Sequence, residues 1–411
     1  MPYRYVGEEE LELLKQVIDT QQCWRVGQPD GQNFVDRFED AFAARTGQAF
    51  VHALCTGSTA NQAALAGLGI GPGDEVIVTP CSYIASSLSI VALGAIPVFA
   101  DVEPRALHIT PESVEAAITP KTKAVVVVHN WGLPADIEPI MQVARKHNLL
   151  VTEDCAQAFD VYYHGKRAGT FGDAASYSIM QGKHLQCGEG GVVTTNDPEV
   201  YKGTVLYCNG GMPWLLRHGI TTPEAQPVNG IPTRGHFAFG SNRRLSDLHG
   251  AVALAQLGKL DEFNSRRRML VDIIEEELGG VRGLRLAPAC PDTAPNIWHY
   301  PLTLDPEQTD LTATEFVQLC EREQGVGPGL HYVYSEVNYL EEVYQEMNRQ
   351  RRTSVGYPLP DYVRYEAGIC PQAESAALRM IPLNVHHGMV DPDDLRTTAK
   401  AIAKTARGVI R

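Results

Sequence analysis

The chain has 411 residues, 44% hydrophobic and 20% charged, with a formal net charge of −14. That length supports one large domain plus a smaller one, and the acidic balance excludes a nucleic-acid-binding surface, because phosphate backbones need basic patches. Nine cysteines without a CxxC pair, no apolar segment of the signal-peptide kind at the N-terminus, and no apolar run near the ~20 residues that span a bilayer make a reduced, cytoplasmic chain with no membrane partner the expectation.

In chain order, Phe34, Phe38 and Phe42 recur four residues apart and predict one apolar face of a helix. Thr56-Gly57-Ser58-Thr59 precedes a small-residue helix beginning at Ala60. Apolar runs at 75–78 and 96–99 flank a helical stretch over 82–93, which makes a βαβ unit. The alternation continues with a strand at 123–129, a helix over about 136–147 and a strand from 149 that closes on Glu153-Asp154. Strands at 174–179 and 191–195 flank a glycine-rich loop. Continuous apolar strands joined by helices predict a mostly parallel sheet covered on both faces, with ligands at the strands' carboxyl ends. Residues 209–234, with Pro213, Trp214, Pro223 and Pro232, read as a long loop near the site. A helical run over 245–270 leads into a smaller α/β domain with helices over 265–278, 312–323, 335–352 and 392–406. The expected division is 1–260 and 261–411.

The chemistry concentrates around Lys183, in Ser176-Tyr-Ser-Ile-Met-Gln-Gly-Lys183-His-Leu-Gln-Cys-Gly-Glu-Gly-Gly191. A lone lysine is almost always a surface residue. In a glycine-rich turn after a Ser-x-Ser strand, with an aspartate at an earlier strand end, it has what pyridoxal 5′-phosphate (PLP) requires. The lysine forms a Schiff base with the aldehyde, and Asp154 keeps the pyridine nitrogen protonated. Alone, Asp154 reads as a cap for the turn after it. Gly182 and the glycines from 188 to 191 read as room for a flat cofactor. Ser58 and Thr59 sit at a helix start suited to a phosphate, although an ordinary N-cap explains them too. Ser178 adds a hydroxyl, and Tyr83 is placed to stack on a ring or to pack in the core. Three decoys are set aside. Gly67–Gly73 does not match a dinucleotide fingerprint, His386-His387 lacks metal-ligand spacing, and Arg266-Arg267-Arg268 reads as a solvated helix face.

These residues, together with Gly71-Pro-Gly-Asp-Glu-Val-Ile-Val78, Ala95-Ile-Pro-Val-Phe-Ala-Asp101, Val128-His-Asn-Trp-Gly-Leu-Pro-Ala-Asp136, Glu153-Asp-Cys-Ala-Gln157 and Gly240-Ser-Asn-Arg-Arg244, resemble the DegT/DnrJ/EryC1/StrS family of PLP-dependent sugar and cyclitol aminotransferases over essentially the whole chain. The resemblance implies an aspartate-aminotransferase-like α/β fold (fold type I) and a homodimer with sites at the subunit interface. It assigns Lys183 to the Schiff base and the proton shift, Asp154 to the pyridine nitrogen, and Gln157 to the ring's face or hydroxyl edge. Ser58, Thr59 and Ser178 take the phosphate, Tyr83 the stacking position, and Asn242 the phosphate of the partner's site. Members with histidine in place of this lysine are dehydratases, so the lysine favours transamination. The amino donor implied is glutamate or glutamine, and the acceptor a ketone on a sugar, cyclitol or related polyol. A dehydrating or aromatising enzyme of the aminohydroxybenzoate-synthase type and a non-catalytic PLP-binding regulator remain alternatives. Trp24, His331 and Tyr332 are candidate substrate contacts.

Overall fold

The computed structural model describes residues 3–26, 33–327 and 337–410. Its centre is a seven-stranded sheet of β1 (Phe50–Leu54), β2 (Glu75–Val78), β3 (Ile96–Phe99), β4 (Thr122–Val128), β5 (Leu150–Asp154), β6 (Ala174–Ser178) and β7 (Gly191–Thr195). The order is β1-β7-β6-β5-β4-β2-β3. All pairs from β6 to β3 are parallel, while β7 runs antiparallel to both neighbours. The sheet is therefore mixed and mostly parallel. β4, in mid-sheet, has Val125 to Val128 all buried, as strands covered on both faces require.

Two antiparallel steps return β1 to the direction of β6. The carboxyl ends of β1, β2, β5 and β6 thus lie along one edge with the start of β7. Thr56, Ser82, Asp154, Ser178 and Gly191 gather there although the chain separates them widely.

Beyond β7 the expected run over 245–270 is two helices, Asp247–Gly258 and Leu260–Leu278. Lys259, at φ −100° and ψ 0°, ends one and begins the other. Its ammonium is held at 2.5 Å by Glu10 of the N-terminal segment. In the C-terminal part, His299–Leu304 pairs antiparallel with Leu284–Arg285 and Met380–Asn384, and the helices Leu260–Leu278 and Pro392–Val409 pack together. The helix expected over 335–352 is, within the described residues, a 3-10 turn at Asn338–Leu340 and a helix at Glu342–Gln350, separated by Glu341 in extended geometry. One buried cluster joins Val125 and Val127 of the sheet, through Trp131, to Tyr300, Leu302 and Ile381. That continuous packing fixes the C-terminal part against the site edge. Among the described residues no helix is long and apolar enough to cross a membrane.

Candidate active site

At this edge lies a cavity of about 320 Å3, lined by Ser58, Tyr83, Asp154, Gln157, Ser178 and Lys183, together with Thr56, Gly57, Asn61, Ser82, Ser86, Glu189 and Trp298. Its floor is the end of β5. Asp154 is 2% exposed, and each of its oxygens is oriented: Oδ2 accepts from Asn61 Nδ2 at 2.8 Å and Ser86 Oγ at 2.7 Å, Oδ1 from the Ala156 N–H at 3.0 Å. Asn61 is itself held by the Ser176 hydroxyl. The preceding residue, Glu153, is buried among the N–H groups of Gly169, Phe171 and Gly172 and the His129 imidazole. His129 Nδ1 accepts from the Ala135 N–H, so its Nε2 carries the proton given to Glu153. His129, Glu153 and Cys155 stand close enough to suggest a metal, yet the hydrogen bonds already made leave that carboxylate a strut beneath Asp154.

Lys183 reaches the cavity from the opposite side and is 7% exposed. Burial lowers its ammonium to about 7, with the Asp154 carboxylate opposing and the Arg267 guanidinium reinforcing the shift. Its Nζ lies 3.5 Å from the ring centroid of Trp298, whose indole N–H donates to the Gly182 carbonyl at 2.8 Å. Gln157 Oε1 accepts from the Trp131 N–H at 2.9 Å, which sets the amide's orientation at the cavity wall.

The phosphate-like end is the N-terminus of helix Gly57–Gly67, where Thr56, Gly57 and Ser58 face the cavity. A Cβ on Gly57 would lie 2.5 Å from the Ser178 Cβ, so this helix start and β6 close on each other only through glycine. Thr59 is not among the lining residues. Its hydroxyl is bound to Thr56 in a capping box, donating to the carbonyl at 2.8 Å. Asn242 also lies outside this chain's cavity, exposed beside Asn209. Residues 209–234, expected near the site, do not line the cavity of their own chain either. Tyr83 lines it while 47% exposed. Trp24 is an exposed surface residue edge-on to Trp214, and His331 and Tyr332 lie outside the described residues.

Two readings change. Gly190 and Gly191 serve the loop's own packing: Cβ atoms there would lie 2.6 Å from Ile179 Cγ1 and 2.2 Å from the Thr56 carbonyl oxygen. Arg267, expected on a solvated helix face, is fully buried, because helix Leu260–Leu278 turns that position toward the lysine loop. Trp298, Asn61, Ser82 and Ser86 join the site without having been anticipated. The only signal for the two serines was their place beside a helix start, where serine is common.

The donor set fits PLP: a helix N-terminus with hydroxyls for the phosphate, an oriented buried carboxylate for the ring nitrogen, and a low-lying amine for the aldehyde. On a sheet of this order, it defines a PLP-dependent transferase of fold type I. The chain belongs to the DegT/DnrJ/EryC1/StrS aminotransferase family, which matches residues 4–402. It is 34% identical to an L-glutamine:2-deoxy-scyllo-inosose aminotransferase from Streptoalloteichus tenebrarius, over 90% of this chain and 85% of that one. It is 40% identical to a GDP-perosamine synthase from Caulobacter vibrioides, over 60% of this chain and 62% of that enzyme's length. The solved structure of a 3-amino-5-hydroxybenzoic acid synthase superposes with a TM-score of 0.82 at 26% identity, over 100% of this chain and 98% of that one.

Proposed function

We propose that this protein moves an amino group from glutamate or glutamine to a ketone on a sugar, cyclitol or related polyol, in aminosugar or antibiotic biosynthesis. The observation that carries the reading is the pairing of Lys183 and Asp154 in one cavity whose third corner is a helix N-terminus. Bound PLP supplies the electron sink that lets the C–H bond beside the transferred nitrogen ionise. Asp154, held by Asn61, Ser86 and the Ala156 N–H, keeps a proton on the ring nitrogen. Lys183, whose ammonium burial lowers to about 7, would supply the amine that holds the cofactor's aldehyde and the base that carries the proton taken from the donor's α-carbon. Ser58, Ser178 and the first N–H groups of helix Gly57–Gly67 would hold the phosphate, with Tyr83 and Gln157 placed on the cavity wall to meet the ring. Asn242 reaches the phosphate of the partner's site in a homodimer.

The named relatives support a sugar or cyclitol acceptor. The likeness to the 3-amino-5-hydroxybenzoic acid synthase favours a second reading, a dehydrating or aromatising reaction at the same cofactor. The visible absorption spectrum, before and after adding glutamate or glutamine, tests the first reading with Lys183→Ala alongside. A cofactor band that shifts with donor in the wild type and not in the variant is the expected result. A band that no amino donor shifts overturns transamination, and product analysis then examines the second reading. No band after addition of PLP overturns both.

A further inference from the structure

The most unexpected group near the site is Arg267. It is 0% exposed, and among the described residues no carboxylate pairs with it. One guanidinium nitrogen donates to the Lys183 carbonyl at 3.1 Å and the other to the Trp298 carbonyl at 3.4 Å, while Nε has no partner. Besides Lys183, its titratable neighbours include three histidines. Burial, reinforced by Arg267, lowers His386 to about 3 and holds His184 and His387 well below the ordinary range, so all three are neutral. Burial pulls Arg267 itself down to about 9, which leaves it charged at neutral pH.

A buried cation without a counter-ion costs stability. Such costs are kept where function needs them. We propose that Arg267 is a positioning residue for the site's chemistry: it pins the backbone of Lys183 and Trp298 with one rigid fork and sets a fixed, unneutralised charge against the lysine's loop. The two carbonyls it holds belong to the lysine and to the aromatic ring beneath that lysine's nitrogen. A displacement of either would change where Nζ points. The groups that bear on that amine are Asp154 from β5, Glu189 and His184 from the lysine's own loop, Tyr83 at the mouth, the Trp298 ring, and Arg267 from helix Leu260–Leu278. Asp154 favours the ammonium. Arg267 is the fixed positive charge set against it.

The proposal rests on Lys183 being the nucleophile, and its test needs neither cofactor nor turnover. The full chain freed of PLP is labelled with acetic anhydride across a pH series, and mass spectrometry compares Lys183 with the exposed Lys123. In the wild type, Lys183 is expected to reach half-reactivity near neutral pH, well below the ordinary lysine range. Arg267→Met and Arg267→Gln remove the charge and the fork, and the half-point of Lys183 labelling should move upward, so that its labelling at pH 7 falls. Arg267→Lys keeps the charge and should restore most of the low half-point. His386→Asp leaves Arg267 in place but sets a carboxylate near it, and should move the half-point upward as the neutral variants do. A wild-type Lys183 whose half-reactivity lies in the ordinary lysine range overturns the proposal. So does an unchanged half-point in His386→Asp or in either folded neutral variant. A low half-point in a protein whose cofactor band never responds to donor would instead sink the aminotransferase reading and leave Arg267's role standing.

Discussion

Asn61 shows how much of this site rests on a residue with no chemistry of its own. Its amide nitrogen donates to Asp154 and its oxygen accepts from Ser176, so the floor carboxylate is tied to β6 through one side chain. Removing it leaves a buried carboxylate short of a donor, a loss of one charge-assisted hydrogen bond. Asn61→Ala should weaken PLP binding about tenfold, measured by cofactor titration in visible absorbance. Asn61→Asp should be worse, because a second carboxylate against Asp154 raises the cost of keeping both charged. Equal affinity in all three proteins would remove Asn61 from the account. In the sequence Asn61 was silent: it sits in a small-residue helix 93 positions from Asp154, and only the fold joins them. Arg267, 84 positions from Lys183, was worse than silent, since a triple-arginine run reads as surface until the helix's orientation is known. Lys183 and Asp154 were legible because each sits in a local pattern, the glycine-rich turn and the acidic strand end.

At the scale of elements, the decisive contact is between the start of helix Gly57–Gly67 and β6. With an alanine at 57, the new methyl would lie 2.5 Å from Ser178 Cβ and 3.1 Å from its Cα, and only the helix's first turn has freedom to retreat. That retreat would move the N–H groups that serve a phosphate and leave the lysine and aspartate in place. Gly57→Ala should therefore cut affinity for PLP by about tenfold or more while changing affinity for pyridoxal, which lacks the phosphate, much less. Equal losses for the two compounds would mean the whole cavity had shifted and would contradict this division of labour. The elements themselves were largely readable. Phe34, Phe38 and Phe42 all face inward from helix Phe34–Thr46, and the valine-rich runs became β4 and β7. Strand order and direction were not readable: apolar runs carry no sign of whether a neighbour is parallel, so the antiparallel β7 between β1 and β6 had to come from the structure. The short β1, interrupted by His52 in its middle, was not read as a strand.

At the scale of the molecule, the chain carries a segment that its own site does not use. The far end of the segment 209–244 is anchored to the end of helix Pro198–Cys208, by Ser241 N–H to the Tyr207 carbonyl and Arg243 N–H to the Cys208 carbonyl, and to the end of β1 by Cys55 N–H to the Arg243 carbonyl. From this strip Phe239 stands fully exposed, Ile231 and Val228 are more than half exposed, and Asn242 lies among them without reaching the cavity. Exposed apolar side chains concentrated on one anchored segment would suit an interface, and a twofold partner would then bring the same strip to both cavities. Under this arrangement a working site takes Lys183 from one chain and Asn242 from the other. Lys183→Ala and Asn242→Ala should each be impaired alone, by loss of the nucleophile and of a phosphate contact respectively. Mixed and re-associated in equal amounts, they should regain about a quarter of the wild-type sites, because half the dimers would be mixed and each would hold one site with both residues intact. Within a single chain the two lesions cannot complement in this way: one site would always lack the lysine and the other the asparagine. Activity of the mixture no higher than the mean of the two variants, in a preparation shown by light scattering to exchange subunits, would place Asn242 outside the partner's site. Recovery that disappears when Phe239→Glu is built into both chains would tie the shared site to this exposed strip.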